Sequence, residues 1–313
     1  MPSVSIIIAT ASRPEPLAET LRSLATVQVP DGWSVELLLV ENVAQTGAEE
    51  LVRTFPQGRF TAARYFFEPR RGKSQALNLA LAQATGDILL FTDDDVRFPV
   101  DWLEKMGAPI VAGRADAVAG AVRLAPHLLR PWMNRTLRAW LASTADYLEA
   151  DGPSEMCGAN MAISRRAVEP IGGFDPELGP GITGGYEETL LSWQIKRAGF
   201  KIVTAFGVEV EHHLNPDRLQ YQNWIRAATG KGESRAYLAH HWHQRPLASP
   251  RLKRFLLGTK LRLRRWCSPR RRPGDEGIAP WELSYVEDLA MYDRYMRELG
   301  RPRNYDLKGL RKL

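Results

Sequence analysis

"GDILLFTDDDVRFP", residues 86–99, runs a hydrophobic segment straight into three consecutive carboxylates. Ile88 to Phe91 reads as a buried strand, and Asp93, Asp94 and Asp95 stand at its carboxyl end. Three neighbouring negative charges raise one another's pKa unless something positive sits among them. The cluster is therefore either a solvated strand end or a cation site. Persistent extended geometry sends Asp93 and Asp95 to the same side. Hard oxygen ligands in that arrangement suit Mg²⁺ or Mn²⁺, which such sites commonly share with substrate phosphates.

Upstream, strand and helix signals alternate. Val4 to Ala9, Val35 to Val40 and Ala62 to Phe67 are apolar runs of strand length. Between them, Pro14 to Leu24 carries Leu17, Leu21 and Leu24 at helical spacing, and Ala48 to Phe55 reads as a short helix. Lys73 to Ala84 has an apolar helical stripe. This alternation predicts an α/β fold, a largely parallel sheet flanked by helices on both faces. Ligands of such sheets bind beyond the carboxyl ends of the strands. Thr10 to Arg13, Glu41-Asn42 and Asp93 to Asp95 all follow strand ends, so a crevice is expected on that rim.

Downstream, residues 123–155 show no clear strand and hold Trp132, Trp140 and Tyr147 among arginines. "CGANMAIS" (157–164) reads as a strand, and the glycine-rich 171–188 as a loop opening a helix over Thr189 to Ala198. Phe200 to Ala205 and Val208 to His212 read as two strands, and Arg218 to Ala239 as a helix. The loop delivers Glu187-Glu188 to a helix start. That placement is a favourable dipole interaction or the position of a general base. His212 continues the buried face of Val208 and Val210. It is either a structural histidine or a third ligand beside the acidic site.

Composition narrows the class. A hydrophobic content of 44% supplies a large core and excludes general disorder. Cys157 and Cys267 make neither a disulfide framework nor a zinc pattern, which points to a reducing compartment. No signal-peptide pattern and no run long enough to span a bilayer is seen, so a cytoplasmic location is expected. The net charge of +6 is concentrated in residues 251–272, which hold ten Lys and Arg and no acid; without those ten, 32 basic residues face 36 acidic ones. Leu252, Phe255, Leu256, Leu263 and Trp266 share one helical face there. That pattern suits an anionic membrane surface, with a solvated charge run as the alternative. No nucleic-acid motif accompanies the charge, and no nucleic-acid partner is expected. Residues 281–299 read as one amphipathic helix.

"VSIIIATASRPEPLAETLRSLA", "LLLVENVAQTG", "RRGKSQALNLALAQATGDILLFTDDDV", "CGANMAISRRAVEPIGGFDPELG", "YEETLLSWQIKRAGFKI" and "VEVEHHLNPDRL" occur in this order over residues 3–235. Together they resemble the family 2 glycosyltransferases with the GT-A fold. The resemblance implies a GT-A domain over 1–240 and leaves 241–313 as a basic, mainly helical C-terminal extension. It implies a nucleotide-diphospho-sugar donor, a carbohydrate or lipid-linked acceptor, and Mn²⁺ or Mg²⁺ as cofactor. Asp93 would face the nucleotide ribose, and Asp95 would ligate the metal with His212. Thr10, Ala11, Arg13, Glu41, Lys73 and Asp94 complete the nucleotide-sugar-binding set, and Glu188 or Glu187 would be the catalytic base.

Three positions depart from the family pattern. Glu41 and Glu188 stand where Asp is usual, and Ser12 stands where Asn is usual. The resemblance implies an inverting enzyme, the lack of Gln-x-x-Arg-Trp and of spanning helices points to a non-processive one, and the basic segment 251–272 suggests a peripheral place at the inner face of the membrane. Two other readings are a sugar nucleotidyltransferase and a catalytically inactive sugar- or nucleotide-binding scaffold. The first should carry a Gly-rich basic loop after the first strand, and "TASRPEPL" is not one.

Overall fold

A computed structural model describes residues 1–146 and 155–313; Tyr147 lies outside the described residues. Among the described residues eight strands form one sheet: β1 (Ser3–Thr10), β2 (Ser34–Asn42), β3 (Ala62–Glu68), β4 (Ile88–Asp93), β5 (Val96–Arg97), β6 (Ala117–Leu124), β7 (Met161–Ser164) and β8 (Ile202–His212), in the order β3-β2-β1-β4-β7-β6-β8-β5. The first four strands in that order are parallel. Beyond them β7 runs antiparallel to both β4 and β6, and β6 and β8 are parallel again. The sheet is thus mixed, with its parallel half where strand and helix signals alternate most regularly.

Alternation along β1 and β2 divides the core. Ile6, Ile8, Leu37 and Leu39 pack with α1 (Pro14–Leu24), α2 (Ala48–Arg53) and, further along the chain, α4 (Trp102–Val111). Ile7, Leu38 and Val40 face α3 (Lys73–Gln83) and α7 (Glu187–Arg197). Strands buried on both faces read as unbroken apolar runs, which is why these elements are visible in the sequence.

β6 is not visible in this way. "AVAGAVRL" has neither strong β-propensity nor alternation, yet all but one of its residues are buried. Asn160 explains its course. The Asn160 carboxamide donates to the Ala121 and Val208 carbonyls and accepts from the Trp102 indole at 2.9 Å. Gly120 leaves room for that side chain. Ala205 pairs with Gly120 but Glu209 with Ala121, so residues 206–208 bulge out. The two strands expected at 200–205 and 208–212 are therefore one bulged strand. Asn160 also explains why β7 starts only at Met161: residues 158–160 turn to aim this plug.

After short helices α5 (Arg135–Trp140) and α6 (Arg165–Val168), the chain ends in α8 (Tyr221–Tyr237), α9 (Pro250–Trp266) and α10 (Pro280–Glu298). α8 and α10 meet closely, since a Cβ on Gly232 would lie 2.1 Å from the Glu287 carbonyl. Residues past α10 close over the glycine-rich loop. Tyr237 and Tyr305 both donate to Asp175, and Lys312 bridges Asp175 and Glu177. Burial opposes the Glu177 charge, but Lys312 and Arg301 outweigh it and lower its pKa to about 2. A depressed folded-state pKa contributes stability above the unfolded value, and that contribution is lost as pH falls through the folded one. Melting temperature should thus fall between pH 4.5 and about 2, and less steeply in Glu177→Gln; equal slopes would dismiss this anchor.

Candidate functional site

Strand register builds the rim. Thr10 is level with Glu41, and Ala9 with Asp93, so the ends of β1, β2 and β4 open at one height. The chain turns sharply after Asp93, and β5 pairs antiparallel with β8, setting Val96 opposite His212. The His213 amide donates to the Asp95 carbonyl at 2.7 Å. This two-residue strand is what brings Asp95 to a histidine far along the chain.

Asp93, Asp95 and His212 offer ligand atoms within 4.8 Å of one another. His212 Nε2 lies 3.0 Å from Asp95 Oδ1. Yet Asp95 Oδ1 and His212 Nδ1 are buried without a hydrogen bond. Buried polar atoms are normally paired, and an unpaired imidazole nitrogen beside two carboxylates fits a divalent cation. Burial works against the Asp95 charge, but His212 and Arg13 beside it hold its carboxyl well below the usual range. Arg13 bridges Asp94 and Asp95, and Thr10 donates to Asp94 at 2.5 Å. Asp94 is thus held by Arg13 and Thr10 and is not one of the three clustered ligand residues.

These groups line a cavity of about 520 Å³ together with Ala11, Ser12, Asn42 and Val43. Ser12 and Val43 have φ of 53° and 75°. Left-handed backbone at a β-branched residue is an outlier, and such strain tends to gather at ligand sites. Glu41 is not on the cavity wall. Its carboxylate accepts from the Thr46 amide and hydroxyl and from Tyr65, holding the turn after β2. Asn42 takes the wall position instead and clamps the next loop through Glu68, Arg70 and Gly72.

A second cavity of about 300 Å³ adjoins the first; Lys73, Asp93, His212 and Arg218 line both. Lys73 pairs with Asp93. Burial would discharge it, but Asp93, Glu187 and Glu188 together raise its pKa, so it stays cationic. Glu187 and Glu188 open α7 on the far side, preceded by Tyr186 at φ 73°. Glu187 is buried under Gly179 and next to Ser74. Burial and the adjoining Glu188 push the Glu187 carboxyl far above its usual range, against the pull of Lys73. Glu187 is thus the member of the pair whose carboxyl burial holds toward its neutral form.

The sequence "TGG" at 183–185 leads into this pair, and α8 clamps it. Ser234 Oγ lies within hydrogen-bond distance of the Thr183 hydroxyl and the Gly185 carbonyl, and a Cβ on Gly230 would lie 2.0 Å from the Thr183 carbonyl. Gly→Ala inside a helix ordinarily stabilises by roughly 0.5–1 kcal/mol. Gly230→Ala should instead lower the melting temperature and displace the loop, while Gly258→Ala in α9, with no atom nearer than 3.9 Å, should raise it. Calorimetry of both variants checks this; a stabilised Gly230→Ala would contradict the close packing.

The sequence model of the family described as "Glycosyl transferase family 2" matches residues 5–172. The chain belongs to glycosyltransferase family 2. Its sequence is 36% identical over 144 residues to the succinoglycan biosynthesis protein ExoM of Rhizobium meliloti, covering 44% of this chain and 46% of that one. It is 29% identical over 122 residues to the glycosyltransferase AglE of Haloferax volcanii, covering 39% and 40%. The matched stretch is thus less than half the length of these curated relatives. In fold, the mannosyltransferase PcManGT of Pyrobaculum calidifontis, solved with GDP-Man and Mn²⁺, superposes with a TM-score of 0.56 at 19% identity, over 96% of this chain and 76% of that one. That likeness establishes a GT-A-like fold for this family 2 chain.

The family match takes in Thr10, Lys73 and the Asp93–Asp95 triplet but stops before Glu187, Glu188 and His212. Those three reach the site through α7 and β8. Arg71, Arg218 and Lys231 escape a reading by motif. Arg71 and Arg218 line the first cavity, and neither side chain has a hydrogen-bond or ion-pair partner among the described residues. Lys231 lies 3.9 Å above the Trp140 ring at the second cavity. Of the other tryptophans, Trp224 is core, donating to the Leu219 carbonyl, and Trp132 is partly exposed outside both cavities. Cys157 lines the second cavity, but burial pushes its thiol up to about 12, which makes it a poor nucleophile.

Proposed function

We propose that this family 2 chain transfers a sugar, with inversion, from a nucleotide-diphospho-sugar to an acceptor hydroxyl in the assembly of a cell-surface polysaccharide or glycolipid. The observation that carries this reading is the Asp93, Asp95 and His212 cluster, of which Asp93 and His212 share a cavity with the Glu187-Glu188 pair. The names of ExoM and PcManGT support the class of reaction and of donor. Residues 1–240 are read as the transferase unit and 241–313 as its extension, peripheral at the cytoplasmic face of an anionic membrane.

Asp95, His212 and Asp93 would hold Mn²⁺ or Mg²⁺, which when bound neutralises negative charge on the donor diphosphate. Thr10, Ala11 and Arg13 shape the nucleoside end of the first cavity, with Asp94 fixing Arg13. Arg71 and Arg218 supply free guanidinium donors suited to phosphate oxygens. Lys73 spans the boundary between donor and acceptor cavities. Glu188 takes the proton of an acceptor hydroxyl held in the second cavity, and the oxygen attacks the anomeric carbon opposite the leaving diphosphate. One displacement inverts configuration. Glu187, its carboxyl held toward the neutral form, supports Glu188 without competing for the acceptor's proton.

The test is a thermal-shift panel of UDP, GDP, dTDP and ADP with and without Mn²⁺, followed by NMR of the anomeric proton of the product. A ligand that binds only the folded chain raises its melting temperature. One diphosphate should give a shift that requires the metal, and the product should be inverted. No shift with any nucleotide, or a retained anomer, would overturn the reading.

A further inference from the structure

Helix α9 has two opposed faces that cannot both belong to the fold. At roughly 100° per residue, Arg254, Gly258, Leu261 and Arg265 share one side, and this side is docked. Leu261 is buried, Arg254 pairs with Asp293 at 2.9 Å, and Arg265 pairs with Glu282 at 2.6 Å, both on α10. On the opposite side stand Leu252, Phe255, Leu256, Leu263 and Trp266, exposed by 57, 64, 50, 57 and 85%. Their steps of three, one, seven and three keep them on one stripe about 100° wide. No described element covers it.

The stripe has charged margins. Lys253, Lys260 and Arg264 border it on one side, and Arg251 and Arg262 on the other. Arg270, Arg271 and Arg272 follow the helix, and no acid occurs from 250 to 274. Monomeric proteins seldom leave so continuous an apolar stripe uncovered. A second copy is a poor occupant, because pairing two such stripes would bring two all-basic helices together. A nucleic-acid backbone would meet leucines, phenylalanine and tryptophan at the centre of the face instead of cations. A bilayer with anionic headgroups satisfies both parts: acyl chains for the stripe, lipid phosphates for its margins.

We propose that α9 lies in the plane of an anionic membrane, with Phe255 and Trp266 as its deepest anchors and α10 as the strut that fixes the transferase body to it. This deepens the peripheral placement above and rests on that reading for its purpose, bringing the acceptor cavity to a membrane-borne acceptor. The full chain would be sedimented with phosphatidylcholine vesicles, with and without about one third phosphatidylglycerol, alongside the nucleotide thermal shift. Recruitment should be about tenfold stronger on the anionic vesicles and fall with salt. Brominated lipid should quench tryptophan fluorescence in the wild type and not in Trp266→Phe. The double variant F255S/W266S should lose recruitment and keep its nucleotide shift.

Absent recruitment, or recruitment unchanged by F255S/W266S, would overturn the inference. A concentration-dependent dimer abolished by F255S/W266S would do so too, by assigning the stripe to a second copy. Failure of the vesicles with an intact nucleotide shift would sink only the membrane face. Recruitment without any nucleotide shift would sink only the transferase reading.

Discussion

Glu188→Gln should lower kcat by about 10²–10⁴-fold, the range a positioned general base contributes, and leave the nucleotide thermal shift intact. The amide keeps the size and the first-turn position of Glu188 on α7 but cannot accept the acceptor's proton. Glu188 lines the second cavity and not the first, so donor affinity should hardly change. Glu187→Gln separates the two acids. Glu187 is buried with its carboxyl pushed toward the neutral form, so its amide should preserve more of the rate than Glu188→Gln does. If Glu187→Gln is the dead variant and Glu188→Gln turns over normally, the base has been assigned to the wrong member of the pair. An interaction used only in the transition state should show in kcat with KM for the donor unchanged.

Asp95→Asn should abolish the metal-dependent part of nucleotide binding. Asp95 is buried in the cluster, and His212 and Arg13 hold its carboxyl below the usual range. Losing an outer-shell partner typically costs 10–100-fold in metal affinity, and loss of a carboxylate ligand should cost more. Asn is chosen over Ala because it retains the volume beside Arg13. Like Ala, Asn removes one charge of the ion pair with Arg13, a loss that in a buried pair costs roughly 3–5 kcal/mol in folding, so binding has to be read against folding. Isothermal titration of Mn²⁺ with and without nucleoside diphosphate provides the readout, with metal-free melting as the control for folding. His212→Ala should weaken the same titration. Wild-type metal affinity in both variants would return the triplet to a solvated strand end and remove the basis for the donor cavity.

What could be read in advance depended on where physical forces act locally. β1, β2 and β4 announce themselves because burial on both faces demands unbroken Ile, Leu and Val. Their parallel register then puts Thr10, Glu41 and Asp93 on one rim without further information. The apolar stripe of α9 was equally legible, since helical period alone collects Leu252 through Trp266. Asp93 to Asp95 were conspicuous because like charges at a strand end are costly without a counter-charge.

Tertiary structure decided the rest, because the deciding contacts join residues distant in sequence. β6 owes its place to Asn160 and Trp102, and its own alanines do not demand a strand. Glu41 and Asn42 are neighbours, and only the loops packed on them determine which one faces the cavity. Arg71 and Arg218 matter because nothing pairs with them among the described residues, a property no motif records. That Glu187 has its carboxyl pushed up depends on burial under Gly179, a long-range packing event. Sequence determined the parallel half of the sheet and its acidic rim through local burial patterns, whereas folding determined which of those acids meet His212 and which, like Glu41, are turned into a loop.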